Sequence, residues 1–233
     1  MENMKIEDQI RALSKISKAI TSDLFIEDIL RLIVTVTAEM MGSSICSIML
    51  LDHTTNELVV RATQSVSDLY NSKPPLKVGE GIAGKVFKEN KPIIIKDVKK
   101  EIEYKYKKIA EREGLCSLLS VPLSVRNRQI GVINCYTSKP HNFSETDISI
   151  LTSIGNQAAI VIENTELIIK SKAIKEELEA RKKIERAKGI LMKEGHITEE
   201  EAYLKLQRYS MDNRKSLREV AEAIILSADL KKR

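Results

Sequence analysis

Lys188 and Gly189 are two neighbouring residues whose types suggest binding chemistry. They lie in the stretch ERAKGILMKEGH, where the apolar residues Ile190, Leu191 and Met192 predict a helix. A glycine inside a helix costs about 1 kcal/mol relative to alanine, so it usually marks a place where another group comes close to the backbone. A lysine beside such an opening supplies positive charge. The pair is therefore a candidate contact for an anionic partner.

The net charge is uneven along the chain. Residues 1–169 hold 21 Lys plus Arg and 21 Asp plus Glu, whereas residues 170–233 hold 17 and 12. The whole formal net charge of +5 therefore belongs to the C-terminal segment. A basic segment that follows a neutral one favours an anionic partner, and nucleic acid is the first class to consider.

The cysteines and histidines predict no metal, disulfide or catalytic site. Cys46, Cys116 and Cys135 are odd in number, far apart and in apolar strand-like contexts, which is typical of buried reduced thiols. The three histidines complete no cluster of zinc spacing. We expect no cofactor, no metal and no enzymatic activity.

The hydropathy pattern predicts a cytoplasmic protein without a membrane segment. No apolar run approaches the ~18 residues that would span a bilayer. The first residues, MENMKIEDQI, are charged and lack the apolar stretch of a secretory signal.

Helical and strand patterns alternate in an order typical of an α+β fold. The apolar residues that predict a first helix are Ile10, Leu13, Ile16 and Ile20. A second helix follows the sequence TSD, and β-rich runs then predict two hairpins, 44–52 with 57–65 and 115–125 with 128–138. With the segment PIIIKDV between the hairpins, we expect five strands with helices before, between and after them.

The order of motifs through the first two thirds of the chain resembles a GAF domain. The matching segments are VGEGIAGKVFKENKPIIIKDV, a strand running into SVPL, a strand beginning IGVINCY, and FSETDISILTSIGNQAAIVIEN. The GEGIAG stretch lacks the spacing of a phosphate-binding loop. The resemblance covers residues 8–168 and implies an antiparallel sheet with helices on both faces. It also implies a sensor for a small molecule or a partner protein, for which the candidate pocket residues are Arg61, Tyr104, Tyr106, Arg112 and Asn134.

A long helix is predicted to begin after Ser144, with SETD as its capping box. The residues spaced 4, 3, 4 and 3 along it are Ile154, Ala158, Val161, Thr165 and Ile168. This heptad seam favours a homodimer, with the alternative that it packs on its own sheet. We expect residues 169–178 to form a helical connector.

Three helices are predicted over 179–230. Gly195 is expected at positive φ after the first, the capping box of Thr198 and Glu201 begins the second, and that of Ser216 and Glu219 begins the third. The segment IERAKGILMKEGHITEEEAYLKLQRYSMDNRKSLREVAEAII resembles the ANTAR domain, the RNA-binding module of transcription antiterminators. Ser210 departs from the family pattern, in which alanine is common.

The ANTAR resemblance implies a set of RNA-binding residues. They are Ala187, Lys188 and Gly189 in the first of the three helices, Arg208 and Tyr209 near the end of the second, and Arg214 and Lys215 at the start of the third. Small residues would let a phosphate or an unstacked base approach, lysine supplies charge, and arginine can bind phosphate or stack on a base.

Together the two resemblances predict a signal-responsive regulator. A GAF sensor would control an ANTAR module that binds tandem stem-loops in an mRNA leader and promotes transcription antitermination. The alternative is a GAF-sensor regulator that binds DNA, although the basic residues are spread over three elements. An enzyme similar to a GAF-type methionine sulfoxide reductase is disfavoured, because Cys116 and Cys135 are predicted on strands rather than in a flexible loop.

Overall fold

The computed structural model describes residues 26–126 and 128–231. Two compact units divide at Glu166 and Leu167, inside one long helix. The predicted first helix with Ile10, Leu13, Ile16 and Ile20 lies outside the described residues, and so does Asn127 in the second hairpin turn.

The first unit is an α+β fold, as predicted. Its elements in chain order are α1 (Ile26–Met41), β1 (Ile45–Asp52), β2 (Glu57–Thr63), α2 (Asp68–Asn71), β3 (Leu76–Lys77), α3 (Gly81–Glu89), β4 (Ile93–Ile95), α4 (Lys107–Arg112), β5 (Leu118–Val125), β6 (Arg128–Tyr136) and the start of α5 (Glu145–Gly195). The second unit contains the rest of α5, then α6 (Glu199–Asn213) and α7 (Leu217–Lys231).

The strands form one antiparallel sheet in the order β3-β2-β1-β6-β5-β4. Both predicted hairpins are confirmed, as β1 with β2 and β5 with β6. Among the described residues the sheet has six strands rather than five. The additional strand, β3, has only two residues, too few for an alternating pattern to appear in the sequence.

Both faces of the central strands are buried because helices cover each of them. On one face, strand residues such as Ile48, Val121 and Ile133 share a core cluster with α1 and α5. On the other, Met49, Leu118 and Val132 pack with α2, α3 and α4. A strand buried on both sides is a nearly continuous apolar run, which explains the sequence SICSIMLL in β1.

Helix α5 begins at the predicted capping site. The Ser144 backbone N–H and hydroxyl both contact Asp147 Oδ2 at 2.8 Å, and the Asp147 N–H donates back to Ser144 Oγ at 3.2 Å. The first four residues of the predicted heptad seam, Ile154, Ala158, Val161 and Thr165, are buried within the first unit, and only Ile168 is exposed. The alternative that the seam packs on its own domain therefore fits those four positions.

The second unit has a small core in which Ala187, Leu206, Val220 and Ala221 are buried. Both predicted capping boxes are present, at Thr198 and at Ser216. The expectation for Gly195 was wrong, because it is the last helical residue of α5 and the next residue, His196, adopts positive φ (46°) instead.

Gly131 offers a test of the sheet packing. A Cβ added there would collide with the Met49 carbonyl oxygen of the neighbouring strand, whereas one added to Gly155 of α5 would make ordinary contacts at 3.4 Å or more. We expect Gly131→Ala to lower the free energy of unfolding by about 1–3 kcal/mol. Gly155→Ala should leave it unchanged or raise it by up to about 1 kcal/mol. Urea unfolding of both variants measures this, and equal stability of the two would contradict the packing described.

Candidate functional site

Lys188 lies at the junction between α5 and α6. Its side chain is 10% exposed, and its Nζ donates to Glu199 Oε1 at 2.6 Å and to Glu185 Oε1 at 2.9 Å. These hydrogen bonds, first that to Glu199 and then that to Glu185, raise the pKa of the lysine. The same contact lowers the pKa of Glu199. Lys188 is therefore charged, but its charge already has two carboxylate partners and it fastens the start of α6 to α5.

Gly189 is open on its outer side. A Cβ built there would have no atom of the described structure within 4 Å, apart from the backbone of its own helix. Packing within the second unit therefore does not require glycine at this position. The adjacent Ala187 has the opposite environment, because it is fully buried in the small core with Leu206 and Val220. Its methyl group supports the helices from inside, so the predicted role of Ala187 in RNA binding would be to hold the neighbouring Lys188 and Gly189 in place.

The corner between α6 and α7 holds the remaining candidate residues. Arg208 and Tyr209 are exposed near the end of α6. Arg214 and Lys215 come before α7 rather than in its first turn, since Arg214 is the left-handed C-cap of α6 (φ 51°). Within residues 26–126 and 128–231, neither Arg208 nor Arg214 forms an ion pair, whereas Lys215 Nζ lies 3.8 Å from Glu219 Oε1. The two arginines are thus free to bind an external anion.

The second unit therefore carries two groups of candidate contacts around one small core. The sequence did not identify Glu185 and Glu199 as partners of Lys188. The i,i+3 spacing of Glu185 and Lys188 was a usable signal for one of them. Glu199 could not be found in this way, because its contact depends on how α6 folds back on α5.

The candidate sensor residues of the first unit are only partly brought together. Tyr104, Tyr106 and Asn134 line a cavity of about 10 Å³ between the sheet and α3, which is room for about one water molecule. Arg61 is exposed on β2 and lines a separate polar groove. Arg112 is exposed at the end of α4.

The sequence did not point to Lys73, whose ammonium group lies among tyrosine rings beside this cavity. Its Nζ is 3.5 Å from the ring centroid of Tyr70 and 5.0 Å from those of Tyr106 and Tyr136. Cation–π attraction of this kind stabilises the charged form. Burial acts in the opposite direction and lowers the pKa of Lys73 to about 7, partly offset by Glu113.

Further polar groups lie on the same face of the sheet. The Tyr70 and Ser47 hydroxyls are 2.9 Å apart. Ser120 Oγ and Asn134 Oδ1 are buried and find no hydrogen-bond partner among the described residues. Ser47, Asn134 and Ser120 lie side by side on the adjacent strands β1, β6 and β5, since Asn134 is the register partner of both serines. This interior can accommodate a small polar molecule only if the side chains that fill it move.

The domain organisation is supported by family comparisons. The GAF domain model matches residues 23–163, and the ANTAR domain model matches residues 172–225. The chain belongs to the GAF family and carries a C-terminal ANTAR domain. The GAF match covers most of the sheet unit, and the ANTAR match contains every candidate RNA-binding residue. An ANTAR domain implies RNA binding and transcription regulation by antitermination.

Individual relatives match parts of this GAF–ANTAR chain. The Escherichia coli protein named phosphoenolpyruvate-dependent phosphotransferase system is 25% identical over 155 residues, which are 66% of this chain and 21% of that protein. The Mycobacterium tuberculosis transcriptional regulatory protein PdtaR is 31% identical over 119 residues, 51% of this chain and 56% of PdtaR. The chain thus spans about a fifth of the length of the phosphotransferase protein and just over half of the length of PdtaR. The phosphotransferase match is confined to the GAF region.

Solved structures support the sheet topology. The GAF domain of the Acinetobacter phosphoenolpyruvate-protein phosphotransferase superposes with a TM-score of 0.58 at 24% identity, covering 70% of this chain and 97% of that one. At this identity the likeness establishes the fold alone.

The described residues give no sign of a metal centre or a membrane helix. Within them, no three His, Cys, Asp or Glu side chains gather closely enough to hold a metal ion. None of the described helices combines the length and apolarity needed to cross a bilayer. The three cysteines are buried and unbridged. Burial raises the pKa of the Cys46 thiol, which lies 3.7 Å from Cys135 Sγ, so this pair is poorly suited to nucleophilic chemistry.

Lys73 gives the GAF domain a predictable pH dependence. The pKa of Lys73 in the folded state is about 7, below the usual lysine value. Above pH 7 the unfolded state therefore binds more protons than the folded state. The stability of the protein relative to Lys73→Met should therefore increase between about pH 7 and pH 9. Urea unfolding of both proteins across this range is the measurement. A constant difference would show that Lys73 is not held in a desolvated site.

Proposed function

We propose that this GAF–ANTAR protein is a signal-responsive RNA-binding regulator. Its ANTAR domain binds tandem stem-loops in an mRNA leader and promotes antitermination, under the control of a small molecule or partner protein at the GAF domain. The observation that carries the proposal is the ANTAR match over residues 172–225, which includes all the candidate contacts. The protein would act in the cytoplasm, where leader transcripts are made.

The geometry suggests distinct roles for the candidate residues. Arg208 and Arg214 are proposed to bind phosphate or base edges, because both are exposed and have no ion-pair partner among the described residues. Gly189 is proposed to admit the RNA backbone, and Lys188 to contribute charge beside it. Tyr209 and Lys215 complete the surface, while buried Ala187 supports the helix from inside.

We also propose that the protein binds as a homodimer. Two linked stem-loops need two binding surfaces, and a second linked site raises the effective concentration for binding. The seam residues from Ile154 to Thr165 are occupied by their own domain. In the second unit, however, Leu167, Ile174 and Leu178 are 57%, 66% and 51% exposed. Their spacing of 7 and 4 residues fits a helix pair.

A titration against three nucleic acids tests the proposal. Tandem stem-loop RNA, single stem-loop RNA and duplex DNA are compared at one near-physiological salt concentration, because a basic domain binds any polyanion at low salt. We expect the tandem RNA to bind by far the tightest. Preference for the duplex would favour the alternative, a DNA-binding regulator. If all three nucleic acids bind equally weakly, the protein does not recognise RNA specifically when no GAF signal is present.

Two substitutions test the proposed contacts. Arg208→Ala should weaken RNA binding at every sequence and reduce the slope of log K against log salt by about 1, as expected for a lost phosphate contact. Gly189→Ala should weaken binding while stabilising the helix by about 1 kcal/mol, because nothing in the domain obstructs the added methyl. RNA titrations at several salt concentrations and thermal unfolding give both quantities.

Lys175→Ala is the matched control for charge, since Lys175 is exposed in the same unit but is not a proposed contact. If this control loses as much affinity and salt dependence as Arg208→Ala, the effect is only one of net charge. A Gly189→Ala protein with full RNA affinity would remove Gly189 from the interface.

A further inference from the structure

The ANTAR domain has an apolar groove that extends from the proposed RNA contact Tyr209 into the space between the helices. Its volume is about 380 Å³, and it lies where α5, α6 and α7 meet. The floor is formed by Leu191, Leu206, Val220 and Ile224, of which Leu206 and Val220 are almost fully buried. We refer to this feature as the three-helix groove. Its volume falls in the range of about 300–1,000 Å³ that is typical of small-ligand sites.

The rim of the groove differs from the floor. Tyr209, which is 58% exposed, lines one side, and Lys205 and Ser227 supply an ammonium and a hydroxyl. Within the described part of the chain, Lys205 has no ion-pair partner within 4 Å, and Arg208 next to Tyr209 has none either. An aromatic ring, an apolar floor and a cationic rim are thus combined at one place.

We propose that the three-helix groove binds one unpaired nucleobase of the RNA loop. Proteins recognise RNA loops by accepting splayed bases onto aromatic side chains. The base would stack on Tyr209 with its apolar face towards Leu206 and Val220. Ser227 would contact its polar edge, and Lys205 the adjoining phosphate. This inference rests on the proposed RNA-binding function and adds the site at which the loop is read.

The charge of the rim favours RNA over a second copy of the chain. A two-fold interface places the same patch of both subunits face to face. It would bring Lys205 and Arg208 towards their equivalents on the other subunit. Among the described residues, neither has an ion-pair partner within 4 Å, and Glu201 interacts with Lys205 only at longer range. A phosphate-bearing partner has complementary charge instead.

The test uses the full chain and stem-loop RNAs selected by it from a pool with a fixed stem and a randomised loop. Each loop position of a selected RNA is then made abasic in turn. We expect one abasic position to weaken binding by roughly 5- to 150-fold, the range for the loss of one stacked base. Tyr209→Ala should cause a similar loss and should abolish the effect of that one abasic position, because the two changes remove the same contact.

Two variants separate stacking from general damage. Tyr209→Trp should retain most of the affinity, because it keeps an aromatic face. Ala223→Leu fills the groove from an exposed position and should reproduce the loss without unfolding the domain. Tyr203→Ala is the matched control, since Tyr203 is also a partly exposed tyrosine of α6 (41%) but does not line the groove.

The outcomes distinguish this inference from the proposed function. If selected hairpins bind but the abasic effects are unchanged in Tyr209→Ala, the base site is overturned and RNA binding stands. If Ala223→Leu changes the sedimentation mass and not the RNA affinity, a second copy occupies the groove and the inference is again overturned. If the pool yields no RNA that binds better than duplex DNA, the proposed function fails, and this inference fails with it.

Discussion

The contact between Lys188 and Glu199 joins the start of α6 to α5 and so constrains how the three helices of the ANTAR domain pack. Few side chains of this unit are fully buried, so its three helices gain little from hydrophobic burial alone. Lys188 is enclosed between α5 and α6, and its two carboxylate partners come from both helices. Glu199 is 67% exposed, so the pair is screened by solvent, but removal of Glu199 would leave the enclosed ammonium of Lys188 with Glu185 alone. The lysine of the AKG sequence is thus structural as well as a proposed RNA contact.

The GAF domain is constrained differently, because its sheet is covered on both faces. The face towards α1 and α5 is entirely apolar in its central strands, whereas the other face includes Ser47, Ser120 and Asn134 among apolar neighbours. Ser120 Oγ and Asn134 Oδ1 are buried without a hydrogen-bond partner among the described residues, which costs free energy, so this face of the sheet is not packed for stability alone. A sensor needs such a region, since a signal can change only an equilibrium whose states are close in free energy.

Much of the fold could be predicted from local sequence patterns, for identifiable reasons. The hairpins β1–β2 and β5–β6 consist of long apolar runs joined by short polar turns, and the capping boxes at Ser144, Thr198 and Ser216 are local motifs. The environment of Lys73 was not predictable, because its rings come from α2, β6 and the segment before α4. The long seam was ambiguous because a 4,3 spacing fits burial against a sheet as well as a helix pair. Likewise, Gly189 and Ala187 are alike in sequence as small residues, and only the packing of α6 and α7 distinguishes an open site from a buried one.

The basic residues of the C-terminal segment are not equally available to a partner. Several of its cations are paired locally, as Lys183 and Arg218 are with Glu222, Arg186 with Asp229 and Lys188 with Glu199. The pairs made by Glu222 and Asp229 join neighbouring helices or successive turns, and because they are partly exposed they contribute little to stability. They do, however, offset the positive charge at these positions. Arg208 and Arg214 retain theirs at the α6–α7 corner, and Lys205 lies one turn away. Three cations without an ion pair among the described residues, Lys205, Arg208 and Arg214, therefore lie near the end of α6, where Tyr209 and the three-helix groove are also found.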